Sequence, residues 1–162
     1  FHDIICFING VSIMKKIKII GLFICLMAIG NVHATEHQVK MLSSNAGEMM
    51  VFEPPVLEIK PGDTVRWLNA NPGHNSVSID EMTPNGGATW NGKMNEEIIV
   101  KFDVEGVYGY KCTPHYILGM VGLIIVGDAS SNLTIAKTFA EGEESKFATN
   151  KTRFSDYFSL IK

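Results

Sequence analysis

Cysteine is scarce in this chain of 162 residues, since only Cys6, Cys25 and Cys112 occur. The first two fall in a segment that we expect to be removed by processing, which leaves Cys112 alone. A single cysteine excludes an intramolecular disulfide. A lone thiol in an oxidising compartment is prone to reaction unless something occupies it, and a metal ion is the obvious occupant.

Charge is also limited, at 19% of residues against 46% apolar residues. This balance is typical of a globular protein and argues against disorder or a coiled coil as the main structure. No basic patch with interleaved aromatic residues occurs, so we predict no nucleic-acid partner. The length allows one domain with a substantial core, and not two of ordinary size.

Long apolar runs are confined to residues 19–29, which follow Lys15, Lys16 and Lys18 and precede Val32-His33-Ala34. That order is typical of a secretory signal peptide. The run is well short of the ~20 residues that a spanning helix needs, so a retained membrane anchor is less favoured. We predict a signal peptide over residues 14–34 with cleavage after Ala34, and interpret residues 1–13 as a start assigned too far upstream. Cleavage would leave 11 basic and 16 acidic residues, a net charge of −5 and no membrane anchor.

Residues 35–127 contain short apolar segments separated by Gly, Pro and Asn, which predicts an all-β domain. About eight strands at this spacing favour a Greek-key β-sandwich of two packed antiparallel sheets. Plausible core residues are Val65, Trp67, Ile99, Phe102 and Ile124. The predicted strands are residues 37–42, 49–52, 56–59, 64–69, 76–79, 96–102, 107–111 and 121–126.

Residues 128–162 differ in composition and predict two C-terminal helices. Ser130, Ser131 and Asn132 can cap a short helix that runs through Phe139. A second helix over residues 143–160 would place several apolar side chains near one face. We expect this face to pack on the sandwich rather than to bind a cofactor. Its members are Phe147, Phe154, Tyr157, Phe158 and Ile161.

The segment 111–120, Lys-Cys-Thr-Pro-His-Tyr-Ile-Leu-Gly-Met, places Cys112, His115 and Met120 in one loop between two predicted strands. A second imidazole, His74, follows Asn-Pro-Gly upstream. Two imidazoles, one thiolate and a weak axial thioether are the ligand set of blue-copper electron-transfer sites. Because imidazole suits Cu(II) and sulfur suits Cu(I), the mixture lets the ion change oxidation state with little rearrangement. Zinc is the weaker candidate, since a thioether is a poor zinc ligand.

The same residues are compatible with several different roles. Each one alone could be a core filler or a capped loop residue. A copper-dependent enzyme would need a second metal site, and a cysteine hydrolase using Cys112 and His115 would need an acyl-transfer motif; the sequence shows neither. A periplasmic copper chaperone or storage protein would bind copper through the same residue types. Such proteins usually repeat Met or His motifs, whereas the 8 Met here are spread through the chain.

Five short motifs stand out along residues 36–133. They are Met-Val-Phe-Glu-Pro (50–54), Pro-Gly-Asp-Thr-Val (61–65), Gly-His-Asn (73–75), Gly-Val-Tyr (106–108) and Lys-Cys-Thr-Pro-His-Tyr (111–116). Together they resemble the pattern of pseudoazurins, which are blue copper proteins of the cupredoxin family. The C-x-x-H-x-x-x-x-M loop is shared with plastocyanins. A pair of C-terminal helices separates pseudoazurins from plastocyanins, and the tail after Gly127 supplies a plausible pair.

The resemblance implies a cupredoxin-like fold and one copper ion held by His74, Cys112 and His115, with Met120 as the axial ligand. It also implies an electron carrier rather than an enzyme, and a periplasmic location in a cell with two membranes. A soluble monomer is the default expectation.

The resemblance assigns supporting roles by position as well. Asn75 and Thr113 would brace the two ligand loops against each other. Pro114 would withhold a backbone donor near the thiolate and so influence the reduction potential. Met50 would pack close to the ligand imidazoles.

We expect His115 to reach the surface within an apolar ring suited to brief, weak docking. In pseudoazurins a lysine-rich rim steers this face onto copper nitrite reductase. Here Lys93 and Lys111 remain, whereas Ser44, Pro72 and Asn91 stand where lysine is common. Steering should therefore be weaker or directed at another partner, such as a cytochrome c. The ring comprises Met50, Pro72, Pro114, Ile117, Leu118 and Gly119.

Overall fold

The computed structural model describes residues 33–161. The predicted residues 1–13, and all but the last two residues of the predicted signal peptide, lie outside this range. Within it, eight strands are followed by two helices, α1 (Leu133–Glu144) and α2 (Arg153–Phe158). The strands are β1 (Glu36–Asn45), β2 (Glu48–Glu53), β3 (Val56–Ile59), β4 (Thr64–Leu68), β5 (Val77–Ser78), β6 (Ile98–Lys101), β7 (Gly106–Lys111) and β8 (Val121–Val126).

The strands form two four-stranded sheets with the orders β2-β1-β4-β6 and β3-β8-β7-β5. The all-β class, the sandwich and the two C-terminal helices are thus confirmed. The expectation that both sheets would be wholly antiparallel is wrong, because β1 pairs with β4 and β3 pairs with β8 in parallel. Both pairs join strands that are distant in sequence, with other strands of the fold between them, so no hairpin imposes an antiparallel direction on them.

The side chains of β4 alternate between the core and the outer face. Val65 and Trp67 point inward and are fully buried. Their partners on β6 are Val100 and Ile98, which pack on the same core. Ile99 was predicted in the core, but it is 50% exposed and pairs with Arg66 on the outer face. Directly opposed residues share a face of the sheet, so Ile99 lies on the outer face with Arg66. The prediction therefore assigned the inward face of β6 to the wrong set of alternate residues.

Two hydrophobic clusters fill the molecule. The first lies around Trp67, Phe102 and Tyr110, and it includes Cys112 and Met120. The second lies where the helical tail packs against residues of β7 and β8. Strand β8 is buried along its whole length and β7 along nearly all of it. The loop that joins these two buried strands therefore starts and ends in the core.

The tail departs from the predicted helix boundaries. Helix α1 continues past Phe139 to Glu144, and residues 145–152 are not helical before α2 begins. Phe147 lies in this connection, yet it is as buried as Phe154. An apolar side chain needs only to point at the sandwich, so the spacing of aromatic residues did not distinguish a helix from a loop. Among the described residues, no helix combines the length and apolar character needed to cross a bilayer.

Candidate metal centre

The loop between β7 and β8 closes on itself through its backbone. The Cys112 N–H donates to the Met120 carbonyl at 3.0 Å, and the Met120 N–H donates to the His115 carbonyl at 3.1 Å. A short 3₁₀ turn, Tyr116–Leu118, follows His115 and ends at Gly119, whose φ of 75° favours glycine. These contacts hold the thiol, the imidazole and the thioether residue at one end of the sandwich.

His74 lies in the loop between β4 and β5, and this loop is fastened to β1. Asn71 donates its backbone N–H to the Met41 carbonyl at 3.1 Å and accepts the Ser43 N–H on its side chain at 3.0 Å. On the other side, the Asn95 N–H donates to the His74 carbonyl at 2.8 Å. The second imidazole is therefore held from both sides before any ligand binds.

Three donor atoms converge where these loops meet. The Cys112 Sγ lies 3.7 Å from His74 Nδ1 and 3.5 Å from His115 Nδ1, and the two nitrogens are 3.1 Å apart. Metal bonds of about 2.0 Å to nitrogen and about 2.3 Å to sulfur, at angles of about 100° to 120°, require donor separations of about 3.1 to 3.7 Å. The donor set thus fits one ion. Met120 is fully buried in the same cluster as Cys112.

Burial shifts the pKa values of two of the three donors. It lowers the pKa of His74, and the nearby charge of His115 lowers it further. It also raises the pKa of the Cys112 thiol, while the backbone N–H groups of Asn75 and His115 act in the opposite direction. The His74 imidazole and the Cys112 thiol are therefore each favoured in the neutral form. Metal loading must release the thiol proton, and the two N–H groups stabilise the thiolate that forms.

The two loops are joined by a reciprocal pair of hydrogen bonds between Asn75 and Thr113. The Thr113 N–H donates to Asn75 Oδ1 at 2.8 Å, and Asn75 Nδ2 donates to Thr113 Oγ1 at 3.2 Å. Asn75 Nδ2 also donates to the Gly92 carbonyl at 3.0 Å. Pro114, which follows Thr113, is exposed, and the partly buried Met50 packs against the first cluster.

Two residues at this end were not found by sequence reasoning. Ser43 Oγ lies 3.1 Å from His74 Nε2, the ring nitrogen that faces away from the donor cluster. The guanidinium of Arg153 donates to the carbonyls of Met50 and Gly119 at 2.8 and 3.0 Å. Both contacts link segments that are far apart in sequence, so no local sequence pattern indicated them.

The residues expected to form the docking ring differ in exposure. Ile117 is 59% exposed, Pro72 is exposed and Leu118 is half-buried. Gly119 is buried, and a Cβ on it would approach Asn150 at 3.1 Å. Gly119 thus adds no exposed surface to the ring. His115 is half-buried, so the residue is partly accessible to solvent.

The two lysines of the expected rim also differ. Lys93 is exposed, whereas Lys111 is partly buried and its Nζ lies 4.7 Å from the centroid of the Tyr116 ring. The positive charge of Lys111 is therefore held against an aromatic face. Of the two lysines, only Lys93 presents its charge to solvent and thus to an approaching partner.

A sandwich that presents two imidazoles and a buried thiol at one end defines a copper-binding class of protein. The family model of copper binding proteins of the plastocyanin/azurin family matches residues 38–127, which include all the predicted ligands.

Individual relatives identify the group within this family to which the chain is most similar. Pseudoazurin of Methylorubrum extorquens is 49% identical over 105 residues, covering 65% of this chain and 71% of the relative. Pseudoazurin of Paracoccus pantotrophus is 42% identical over 65% of this chain and 72% of its own length. The solved structure of a Sinorhizobium pseudoazurin matches with a TM-score of 0.72 and 39% identity, over 79% of this chain and 97% of that one. The chain therefore belongs to the plastocyanin/azurin family of copper-binding proteins and, within it, to the pseudoazurins.

Membership has two consequences for function. Copper is the cofactor, in agreement with the donor set of His74, Cys112 and His115. The chain is a blue copper electron-transfer protein and not an enzyme.

Proposed function

We propose that His74, Cys112, His115 and Met120 together hold one copper ion that exchanges single electrons with redox partners in the periplasm. The observation that supports this most strongly is the convergence of His74 Nδ1, His115 Nδ1 and Cys112 Sγ within 3.7 Å of one another. When bound, copper supplies the one-electron couple between Cu(II) and Cu(I).

Rigidity is what the protein contributes to this couple. The ligand loops are locked by their own backbone bonds and by the Asn75–Thr113 pair. Imidazole donors suit Cu(II) and thiolate donors suit Cu(I). Donors held in fixed positions therefore favour neither oxidation state fully. A site that stays in place on electron gain has little to reorganise, and transfer is fast for that reason.

The half-buried residue His115 is the proposed route for electrons. The docking ring expected around it includes the exposed Pro72, Pro114 and Ile117 and the half-buried Leu118. Apolar surface of limited extent suits short-lived redox complexes, which need rapid release more than high affinity.

A copper nitrite reductase is the partner we favour, with a cytochrome c or another respiratory copper enzyme as the alternative. A single free rim lysine and a net charge of −5 for the exported chain predict weak steering toward acidic surfaces. We propose a monomer in solution.

The periplasmic location is inferred from the signal peptide over residues 14–34. Cleavage after Ala34 would release a chain that starts next to β1 (Glu36–Asn45). Residues 34–162 form one unit, so processing at that point would leave the sandwich and its helices together.

Addition of Cu(II) to the purified protein, followed by visible and electron paramagnetic resonance spectroscopy, tests the proposal. We expect intense thiolate-to-copper absorption and a narrow copper hyperfine splitting, both lost in Cys112→Ser. An ordinary square-planar spectrum, or binding of several copper ions without colour, would contradict the proposal and favour a copper chaperone or storage protein.

A further inference from the structure

The C-terminal tail contacts the copper loop through three consecutive carbonyl groups. The Ile117 carbonyl accepts the Ala148 N–H at 2.7 Å, and the Leu118 carbonyl accepts Asn150 Nδ2 at 2.8 Å. The Gly119 carbonyl accepts Arg153 Nη1 at 3.0 Å. The tail therefore holds the carbonyls of all three residues that directly precede Met120. We call residues 143–153 the clamp segment.

Arg153 extends this contact to β2. Its side chain is 4% exposed, and Nη1 also donates to the Met50 carbonyl at 2.8 Å. Both Nη1 and Nη2 lie within 3.3 Å of the Met49 carbonyl. One guanidinium therefore ties the copper loop to the strand that carries Met50. Nη1 alone reaches both backbones, and Nη2 adds a second contact with the Met49 carbonyl that a single ammonium nitrogen would not supply.

The other end of the clamp segment holds the start of the loop. The Tyr116 hydroxyl donates to Glu143 Oε2 at 2.9 Å, and its ring packs edge-on against Phe147 at a centroid distance of 5.3 Å. Tyr116 directly follows His115. The tail consequently fastens both ends of the segment between the His115 imidazole and the Met120 thioether.

We propose that the clamp segment positions Met120 relative to Cys112 and His115, and that Arg153 is its principal positioning residue. The inference rests on the proposed function, because it takes Met120 as the axial ligand. Gly119 adjoins Met120 in the chain, so displacement of the Gly119 carbonyl moves the peptide that carries the thioether. An axial sulfur that is free to move changes both the spectrum and the potential of a blue copper site.

Replacement of Arg153 is the direct test. Arg153→Met keeps an unbranched, apolar stem in the buried space and removes every donor, whereas Arg153→Lys retains the charge without the fork. In the copper-loaded protein we expect Arg153→Met to shift the reduction potential and to change the rhombicity of the paramagnetic spectrum, with Arg153→Lys intermediate. In the metal-free protein, amide exchange at Gly119 and Met120 should accelerate about tenfold, as loss of a charged hydrogen bond implies.

Asn132→Ala is the matched control. Its side chain joins the start of α1 to both backbone groups of Val107, at the opposite end of β7 from Cys112. It should lower stability without moving the potential. Asn150→Gly provides a second, milder test should Arg153→Met fail to fold, since Asn150 is exposed and has a φ of 51° that glycine adopts freely. We expect a smaller change in potential of the same sign.

The outcomes separate the two proposals. A wild-type protein without the blue spectrum would defeat the proposed function itself. A blue wild type whose potential and spectrum are unchanged in Arg153→Met and Asn150→Gly would overturn the clamp, as would an equal shift in Asn132→Ala.

Discussion

The hydroxyl group of Ser43 contacts the outer ring nitrogen of His74, Nε2. Ser43 Oγ lies 3.1 Å from Nε2, while Nδ1 faces the donor cluster. A hydrogen bond at Nε2 fixes both the tautomer and the tilt of the ring, and such outer partners typically alter metal affinity by about 10- to 100-fold. His74 is buried, so without Ser43 this nitrogen would lose a close polar partner.

Ser43→Ala should therefore weaken copper binding by about tenfold or more while leaving the blue spectrum recognisable. Competition with a chelator of known copper affinity measures the change. Ser44→Ala, at the exposed neighbouring position, is the control and should bind like wild type. Equal affinities for all three proteins would show that Ser43 does not orient the ligand.

The candidate ligands could be proposed from the sequence because three of them share one loop with a fixed spacing. His74 lies 38 positions before Cys112 and was identified only through its local Gly-His-Asn motif and the resemblance it supports. Ser43 and Arg153 could not be foreseen, since each reaches the site across the fold. A serine on β1 and an arginine on α2 look like ordinary residues until strand order and tail position are known.

At the scale of elements, Asp63 joins the beginning of β1 to the turn between β3 and β4. Oδ1 accepts the Thr35 N–H at 2.8 Å, and Oδ2 accepts the Lys60 N–H at 3.0 Å and lies 3.0 Å from His37 Nε2. The Thr35 N–H is the largest influence, and together these contacts lower the pKa of Asp63 to about 2. The ionised carboxylate is thus the form that stabilises the fold.

The stabilisation should be complete above an unfolded-state pKa of about 3.9 and should vanish as the pH falls toward 2. Asp63→Asn should lower the free energy of unfolding at pH 7 by about 1 to 3 kcal/mol, with the difference from wild type shrinking below pH 4. Denaturant unfolding across this pH range measures it. Asp103→Asn, at an exposed carboxylate, is the control. A difference that did not depend on pH would refute the role of the charge.

Element positions followed from the sequence where alternation or turn chemistry was strong. Strands β3, β7 and β8 were located to within a residue, whereas β5 and β6 are shorter than predicted. The phase of β6 failed at Ile99, because an apolar residue on either face of a short strand satisfies the same pattern. The break between α1 and α2 was predicted directly after Phe139 but lies at residues 145–152, where the Ala148 N–H bonds to the copper loop, a partner that local propensity does not reveal.

At the scale of the molecule, the residues of the expected docking ring are all uncharged, although residues 35–162 carry a net charge of −5. Ile117 is an exposed large apolar residue of the docking ring, with 59% of its surface accessible. The interaction with a partner should then depend more on apolar contact than on charge. We expect the rate of electron transfer to vary little with ionic strength.

Ile117→Ser removes apolar surface without changing charge. It should slow bimolecular transfer to a copper nitrite reductase by about tenfold, equivalent to ~1.4 kcal/mol, and leave the reduction potential as in wild type. Stopped-flow mixing measures the rate. Ile135→Ser, on α1 and 66% exposed, is the matched control and should transfer at the wild-type rate. An unchanged rate for Ile117→Ser would mean that partners dock elsewhere.

The most direct test of the central claim is anomalous diffraction at the copper edge from crystals of the copper-loaded protein. The account predicts one copper peak per chain, bonded to His74 Nδ1, His115 Nδ1 and Cys112 Sγ, with the Met120 sulfur as the fourth neighbour. A peak at any other group of residues, or a copper ion that lacks the Cys112 sulfur, would contradict it.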